Sequence, residues 1–115
     1  MSSYIVAELS GNHNNDLQHT KDTIYSMKEC GADAVKIQTY KAESLSIDVD
    51  NDEFGPRKDG SWKGSRPYDI FKKGELPYEW HSDIFNYCKE LDIDIFSSPF
   101  DLEAVDLLES LNCSK

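Results

Sequence analysis

A lysine and a glutamine stand two residues apart in Ala34-Val35-Lys36-Ile37-Gln38-Thr39-Tyr40, within an otherwise apolar, β-branched and aromatic stretch. Side chains alternate along a strand, so Lys36, Gln38 and Tyr40 share one face while Val35 and Ile37 share the other. A cation on such a face can pair with a phosphate or carboxylate, and the amide beside it can hold hydroxyl groups. Glu8 closes a shorter apolar run, and a carboxylate there can transfer protons or orient a substrate. Ser97 and Ser98 close a third run with hydroxyls able to donate to phosphate oxygens. Bland readings stand beside these. Lys36 alone could be an edge-strand lysine with its ammonium in water, and Glu8 could simply be its ion-pair partner. Asn12 and His13 lie in a polar turn after the first run. A lone histidine among asparagines is more often structural than a metal ligand, because closed metal sites need several ligands.

Three strands must carry these groups. Tyr4–Leu9 reads as the first and 34–40, after the break at Gly31, as the second. Ile93-Asp94-Ile95-Phe96-Ser97-Ser98 reads as the third. A helix capped by Asn15 or Asp16, with Leu17, Ile24 and Met27 on its inner stripe, joins the first two and stops at Gly31. Residues 4–40 therefore form a right-handed βαβ unit. Pro77 opens a second helix with Trp80, Ile84, Cys88 and Leu91 toward the sheet. Asp101 caps a third, whose expected stripe is Leu102, Val105, Leu108 and Leu111. Between Lys41 and Leu76 only Pro67–Lys73 suggests a turn of helix, so a long loop follows the second strand. Phe54, Trp62, Tyr68 and Phe71 make it too aromatic for a disordered linker. It reads as an ordered cover over a site, or as an insertion packed on the rim.

Composition narrows the function classes. A formal charge of −10 argues against nucleic acid, and any anionic ligand must be held by local groups against the overall field. No run of about 18 apolar residues suggests a membrane span, and the opening Met-Ser-Ser-Tyr lacks the basic and apolar regions of a secretory signal. Three scattered cysteines match neither a disulfide framework nor a metal knuckle and suit a reducing cytoplasm. Three successive strands ending in polar groups are what a site at the carboxyl face of a parallel barrel produces. The residues alone thus lead to an anion-binding α/β enzyme site. A flavodoxin-like signalling domain of this length would need five strands where three are readable, and a non-catalytic anion-binding remnant stays open.

The motifs Ile5-Val6-Ala7-Glu8-Leu9-Ser10-Gly11-Asn12-His13-Asn14, Gly31-Ala32-Asp33-Ala34-Val35-Lys36-Ile37-Gln38-Thr39-Tyr40 and Phe96-Ser97-Ser98-Pro99-Phe100-Asp101 together resemble the sialic acid synthases. Leu9-Ser10, Ile37-Gln38-Thr39-Tyr40, Trp62 and Pro77-Tyr78-Glu79-Trp80-His81 are similar to the pseudaminic acid branch. The segment Arg66-Pro67-Tyr68-Asp69-Ile70-Phe71 departs from the family pattern. The resemblance implies a (β/α)8 barrel of which residues 1–115 are the first three βα units, as an amino-terminal portion lacking the remaining barrel and an antifreeze-like domain. It also implies condensation of phosphoenolpyruvate with an open-chain acetamido sugar, giving a nine-carbon 2-keto acid and phosphate. By position, Glu8 and Lys36 are the expected catalytic residues, and Lys36, Gln38, Ser97, Ser98, Asn12 and Tyr40 the expected substrate contacts. A divalent metal, typically manganese, is expected on histidines beyond residue 115, and the full-length protein is expected to be a homodimer. The alternatives within the family are N-acetylneuraminate and legionaminic acid synthases.

Overall fold

The computed structural model describes residues 2–115. Its centre is a three-stranded, wholly parallel sheet in the order β1-β2-β3, from β1 (Val6–Glu8), β2 (Ala34–Thr39) and β3 (Asp94–Pro99). The chain reaches β2 through α1 (Leu17–Glu29), and crosses from β2 to β3 through α2 (Ala42–Leu45), α3 (Pro67–Gly74) and α4 (His81–Glu90). It ends on α5 (Leu102–Ser110).

Local chemistry sets the boundaries. The Asp16 carboxylate accepts from the His19 N–H and starts α1, satisfying one of the amides a helix start leaves without a partner. Gly31 follows the α1 cap at φ +91°, a left-handed conformation that costs a residue with a Cβ more. Asp101 caps α5 in the same way, accepting from the Ala104 N–H. Pro77 leads into a single 3₁₀ turn, Tyr78–Trp80, which runs on into α4.

Register then sorts the side chains. Glu8 lies opposite Lys36, which lies opposite Phe96, while Gln38 lies opposite Ser98. These occupy one face. Val35 and Ile37 turn to the other and are buried with Ile24, Ile84 and Cys88 beneath α1 and α4. Removing one such isoleucine side chain by substitution with alanine costs about 2–5 kcal/mol, through lost transfer energy and the cavity left behind.

The inner stripe of α5 differs from the expectation. Leu102 and Val105 are 82% and 44% exposed, and the buried positions are Ala104 and Leu108. Both stripes fit the helical period and share Leu108, and packing against β3 buries Ala104 and Leu108 and leaves Leu102 outward.

The long segment after β2 is ordered. Arg66 holds it together, pairing with Asp48 at 3.0 Å and Asp69 at 2.7 Å. Its aromatic side chains stack edge to face. Trp62 meets Phe71 at 5.7 Å between centroids, Phe71 meets Tyr40 at 6.4 Å, and Tyr40 meets Phe100 at 5.4 Å. Trp62 and Phe71 thus stand over the carboxyl ends of the strands, where a cover would stand.

Candidate functional site

Of the polar groups expected from the sequence, Glu8, Lys36, Gln38 and Ser98 share one face at the carboxyl edge of the sheet. Because Glu8 and Lys36 are register partners, the lysine Nζ comes to 3.6 Å from Glu8 Oε1. The same oxygen accepts from Gln38 Nε2 at 3.3 Å. One carboxylate oxygen therefore faces two donors while both lysine and glutamate stay partly in water, with 31% and 41% of their side chains exposed. These contacts are long, and an ammonium has three protons to give. An arriving anion can take the lysine without first breaking a tight buried pair. Ser98, level with Gln38 on β3, adds a half-buried hydroxyl to the same face.

Above this cluster opens a groove of about 480 Å³, lined by Asn12, Gln38, Tyr40, Trp62, Phe71 and Gly74 among others. The lining combines amides with aromatic rings, which suits a small polar molecule with apolar patches. Tyr40 lies just past the end of β2 and is 6% exposed. Burial, and then the nearby Glu75 carboxylate, push its phenol above the usual range. Gly74 makes room for it, since a Cβ there would come within 2.6 Å of the Tyr40 hydroxyl.

His13 is a staple. It is fully buried, and Nδ1 accepts from the Asn15 N–H at 3.0 Å. A ring nitrogen that accepts carries no proton, so in the neutral ring Nε2–H donates to the Gly74 carbonyl, 2.9 Å away. Both nitrogens are taken by backbone, which ties the turn bearing Asn12 to the end of α3. Among the described residues no three His, Cys, Asp or Glu side chains converge as a metal site would need.

One expected substrate contact lies elsewhere. Ser97 is on the helix-facing side of the sheet, 7% exposed, with its hydroxyl 2.6 Å from Thr39 Oγ1 and 3.1 Å from the Ile37 carbonyl. Adjacent strand residues point to opposite faces, so Ser97 and Ser98 cannot both reach one ligand. Sequence reasoning also passed over Thr39 and His81, which bond to each other under the sheet at 2.9 Å. The readable signal was a hydroxyl in phase with Val35 and Ile37, where an apolar residue packs better. A second cleft, of about 410 Å³, lies beyond Tyr40, but its lysines are already committed: Lys41 to Glu103 and Lys72 to Glu75, each at 2.6 Å.

Comparison with known proteins finds relatives along nearly the whole chain. The model of the NeuB family matches residues 23–115. A pseudaminic acid synthase of Helicobacter pylori is 44% identical over 109 residues, covering 95% of the chain and 32% of the relative. An N,N'-diacetyllegionaminic acid synthase of Legionella pneumophila is 38% identical, covering 100% of the chain and again 32% of the relative. The chain thus spans about a third of the length of the relatives it matches. Among solved structures, the N-acetylneuraminic acid synthetase of Leptospira borgpetersenii in complex with citrate superposes with a TM-score of 0.76 at 21% identity, over 98% of this chain and 34% of that one. That likeness concerns the α/β fold and its parallel sheet.

Proposed function

The chain belongs to the NeuB family, and we propose that it supplies the substrate-binding floor of a phosphoenolpyruvate-dependent nonulosonic acid synthase, with a pseudaminic acid precursor as its sugar. In this reading the three βα units open a (β/α)8 barrel. The reaction joins C3 of phosphoenolpyruvate to the aldehyde carbon of an open-chain acetamido sugar. Water adds at C2, and loss of phosphate leaves the 2-keto acid, so the elements of one water enter and one phosphate departs.

The observation that carries the proposal is the single Glu8 oxygen facing Lys36 and Gln38 beside Ser98, at the carboxyl edge of a parallel sheet. Lys36 binds the phosphoenolpyruvate anion, a local attraction that offsets the chain's net negative charge. The Ser98 hydroxyl donates to the phosphate. Gln38 and Asn12 meet the sugar's oxygens, and Tyr40 presents its ring along the groove. Glu8 orients the aldehyde or serves it as acid and base, because an anion that claims Lys36 leaves the carboxylate free for a proton. A divalent metal, manganese by resemblance, would polarise the aldehyde. The described residues do not furnish its ligand set, and no step above depends on it.

The sugar assignment is supported by relatives named pseudaminic acid synthase at 44% and 42% identity, against 38% for the diacetyllegionaminic acid synthase. A chimera tests both levels. Residues 1–115 replace the matching segment of the Helicobacter pylori relative, and phosphate release from phosphoenolpyruvate is followed with manganese present. Release with a 6-deoxy diacetamido altrose, faster than with N-acetylmannosamine, is expected. Preference for N-acetylmannosamine would overturn the sugar assignment alone. A folded chimera that binds phosphoenolpyruvate but releases no phosphate with any acetamido aldose would favour a non-catalytic anion-binding role.

A further inference from the structure

Behind the site, on the face of the sheet that packs against helices, three polar side chains occupy positions that apolar ones would fill. Thr39 and His81 are fully buried and Ser97 nearly so. Buried polar groups are costly unless bonded, and here every bond can be assigned. His81 Nδ1 lies 3.1 Å from the Pro77 carbonyl, a group that can only accept, so Nδ1 carries the ring proton. Nε2 of the neutral ring is then an acceptor, and the Thr39 hydroxyl donates to it at 2.9 Å. With the Thr39 proton so used, the single Ser97 proton is shared between the Thr39 oxygen at 2.6 Å and the Ile37 carbonyl at 3.1 Å. The result is a directional chain from β3 through β2 to the turn that opens α4.

Its place in the sequence gives it a function. Thr39 directly follows Gln38, and Ser97 directly precedes Ser98, so each buried hydroxyl is the chain neighbour of a side chain on the site face. At this end the backbone ladder closes on the Phe100 N–H, which donates to the Thr39 carbonyl at 3.2 Å, and the side-chain bonds add to it.

We infer that His81, acting through Thr39 and Ser97, is a positioning residue that fixes the ends of β2 and β3 so that the Gln38 amide and the Ser98 hydroxyl stand side by side over the substrate. The inference rests on the synthase reading for what Gln38 and Ser98 hold, but not for the bond chain itself. Apolar packing at these three positions would fill the same volume without setting the strand ends to a few tenths of an ångström.

The test uses the chimera described above. Thr39→Val and Ser97→Ala each remove one hydroxyl with little change of volume, whereas Thr39→Ser keeps it. Small displacements of substrate-holding groups cost roughly 10- to 100-fold in kcat/KM, so that loss is expected for the valine and alanine variants, with the serine variant within about threefold of the unsubstituted protein. Folded Thr39→Val or Ser97→Ala protein with unchanged kcat/KM would mean that the chain serves stability alone, and overturns the inference. If Thr39→Val does not fold, Ser97→Ala, which deletes a single oxygen, decides. A second readout needs no turnover. Nitrogen-15 spectra of the His81 ring in the unsubstituted chimera should show Nδ1 protonated and Nε2 bare, and the opposite tautomer would break the chain as assigned. Failure of the unsubstituted chimera to release phosphate would count against the synthase reading and leave this spectroscopic test standing.

Discussion

Replacing Lys36 with alanine should weaken phosphoenolpyruvate binding far more than it weakens the fold. Both effects can be sized from the geometry. The lysine makes one ion pair, at 3.6 Å to Glu8, with 31% of its own side chain and 41% of the glutamate's exposed. Screened pairs of this kind contribute ~0.2–1 kcal/mol to stability, so the midpoint of unfolding should move little. A contact to a charged ligand is worth ~1.5–3 kcal/mol, which converts to roughly 10- to 150-fold in affinity. Titration calorimetry of phosphoenolpyruvate into the chimera and its Lys36→Ala variant measures the second quantity, and a thermal melt of the same samples the first. Glu8→Gln supplies the opposite sign. With the carboxylate neutralised, Lys36 is released toward the anion and a like charge leaves the site, so phosphoenolpyruvate should bind more tightly while phosphate release slows. The reasoning is refuted if Lys36→Ala binds phosphoenolpyruvate as well as the unsubstituted protein. It is refuted equally if affinity falls only in step with a collapse of the melt.

Three further expectations follow from particular contacts. Gly74→Ala drives a Cβ to 2.6 Å from the Tyr40 hydroxyl; such overpacking costs ~1–3 kcal/mol, and the variant should raise KM for the sugar more than KM for phosphoenolpyruvate, equal changes counting against Tyr40 as a wall of the sugar groove. Desolvation holds His81 below the ordinary 6.5 in the folded chain, so the unfolded state binds more protons between the two values; stability should be constant above about pH 6.5 and decline as the pH falls beneath it, and urea midpoints from pH 8 to 5 that lose this decline in His81→Gln would confirm its origin. Burial pushes the Cys88 thiol up to about 12, whereas Cys30 is exposed; iodoacetamide at pH 8 should alkylate Cys30 within minutes and leave Cys88 unmodified until denaturant is added, and equal rates in the native protein would contradict the packing beneath the sheet.

How much of this was legible in the residues depends on the range of the interaction concerned. Alternation along one strand placed Lys36 and Gln38 on one face, and the βαβ connection brought Glu8 to their side; the expected ion pair is there at 3.6 Å. The caps at Asp16 and Asp101 were legible for the same reason, since a cap is made within three residues of itself. His13 was not, because its partner carbonyl at Gly74 is 61 residues away, and no local pattern announces a bond across such a loop. The stripe of α5 failed for a third reason: Leu102-x-x-Val105-x-x-Leu108 and Ala104-x-x-x-Leu108 both fit a helical period, and only packing chooses between them.

Ser97 is the more instructive miss, because alternation already set it opposite Ser98. The strand ends carry two polar layers, back to back, and bond lengths separate their roles. On the solvent side, Glu8 meets its donors at 3.3 and 3.6 Å with protons and lone pairs to spare. On the helix side, Thr39 meets its partners at 2.6 and 2.9 Å. That contrast follows from desolvation. A polar group shut away from water must be fully bonded within the protein, and one that is fully bonded has nothing left for a ligand. A group that must exchange partners has to stay partly hydrated and loosely held. The same residue types therefore serve as scaffold on one face and as site on the other, and the parity of the strand position, rather than the identity of the side chain, tells which.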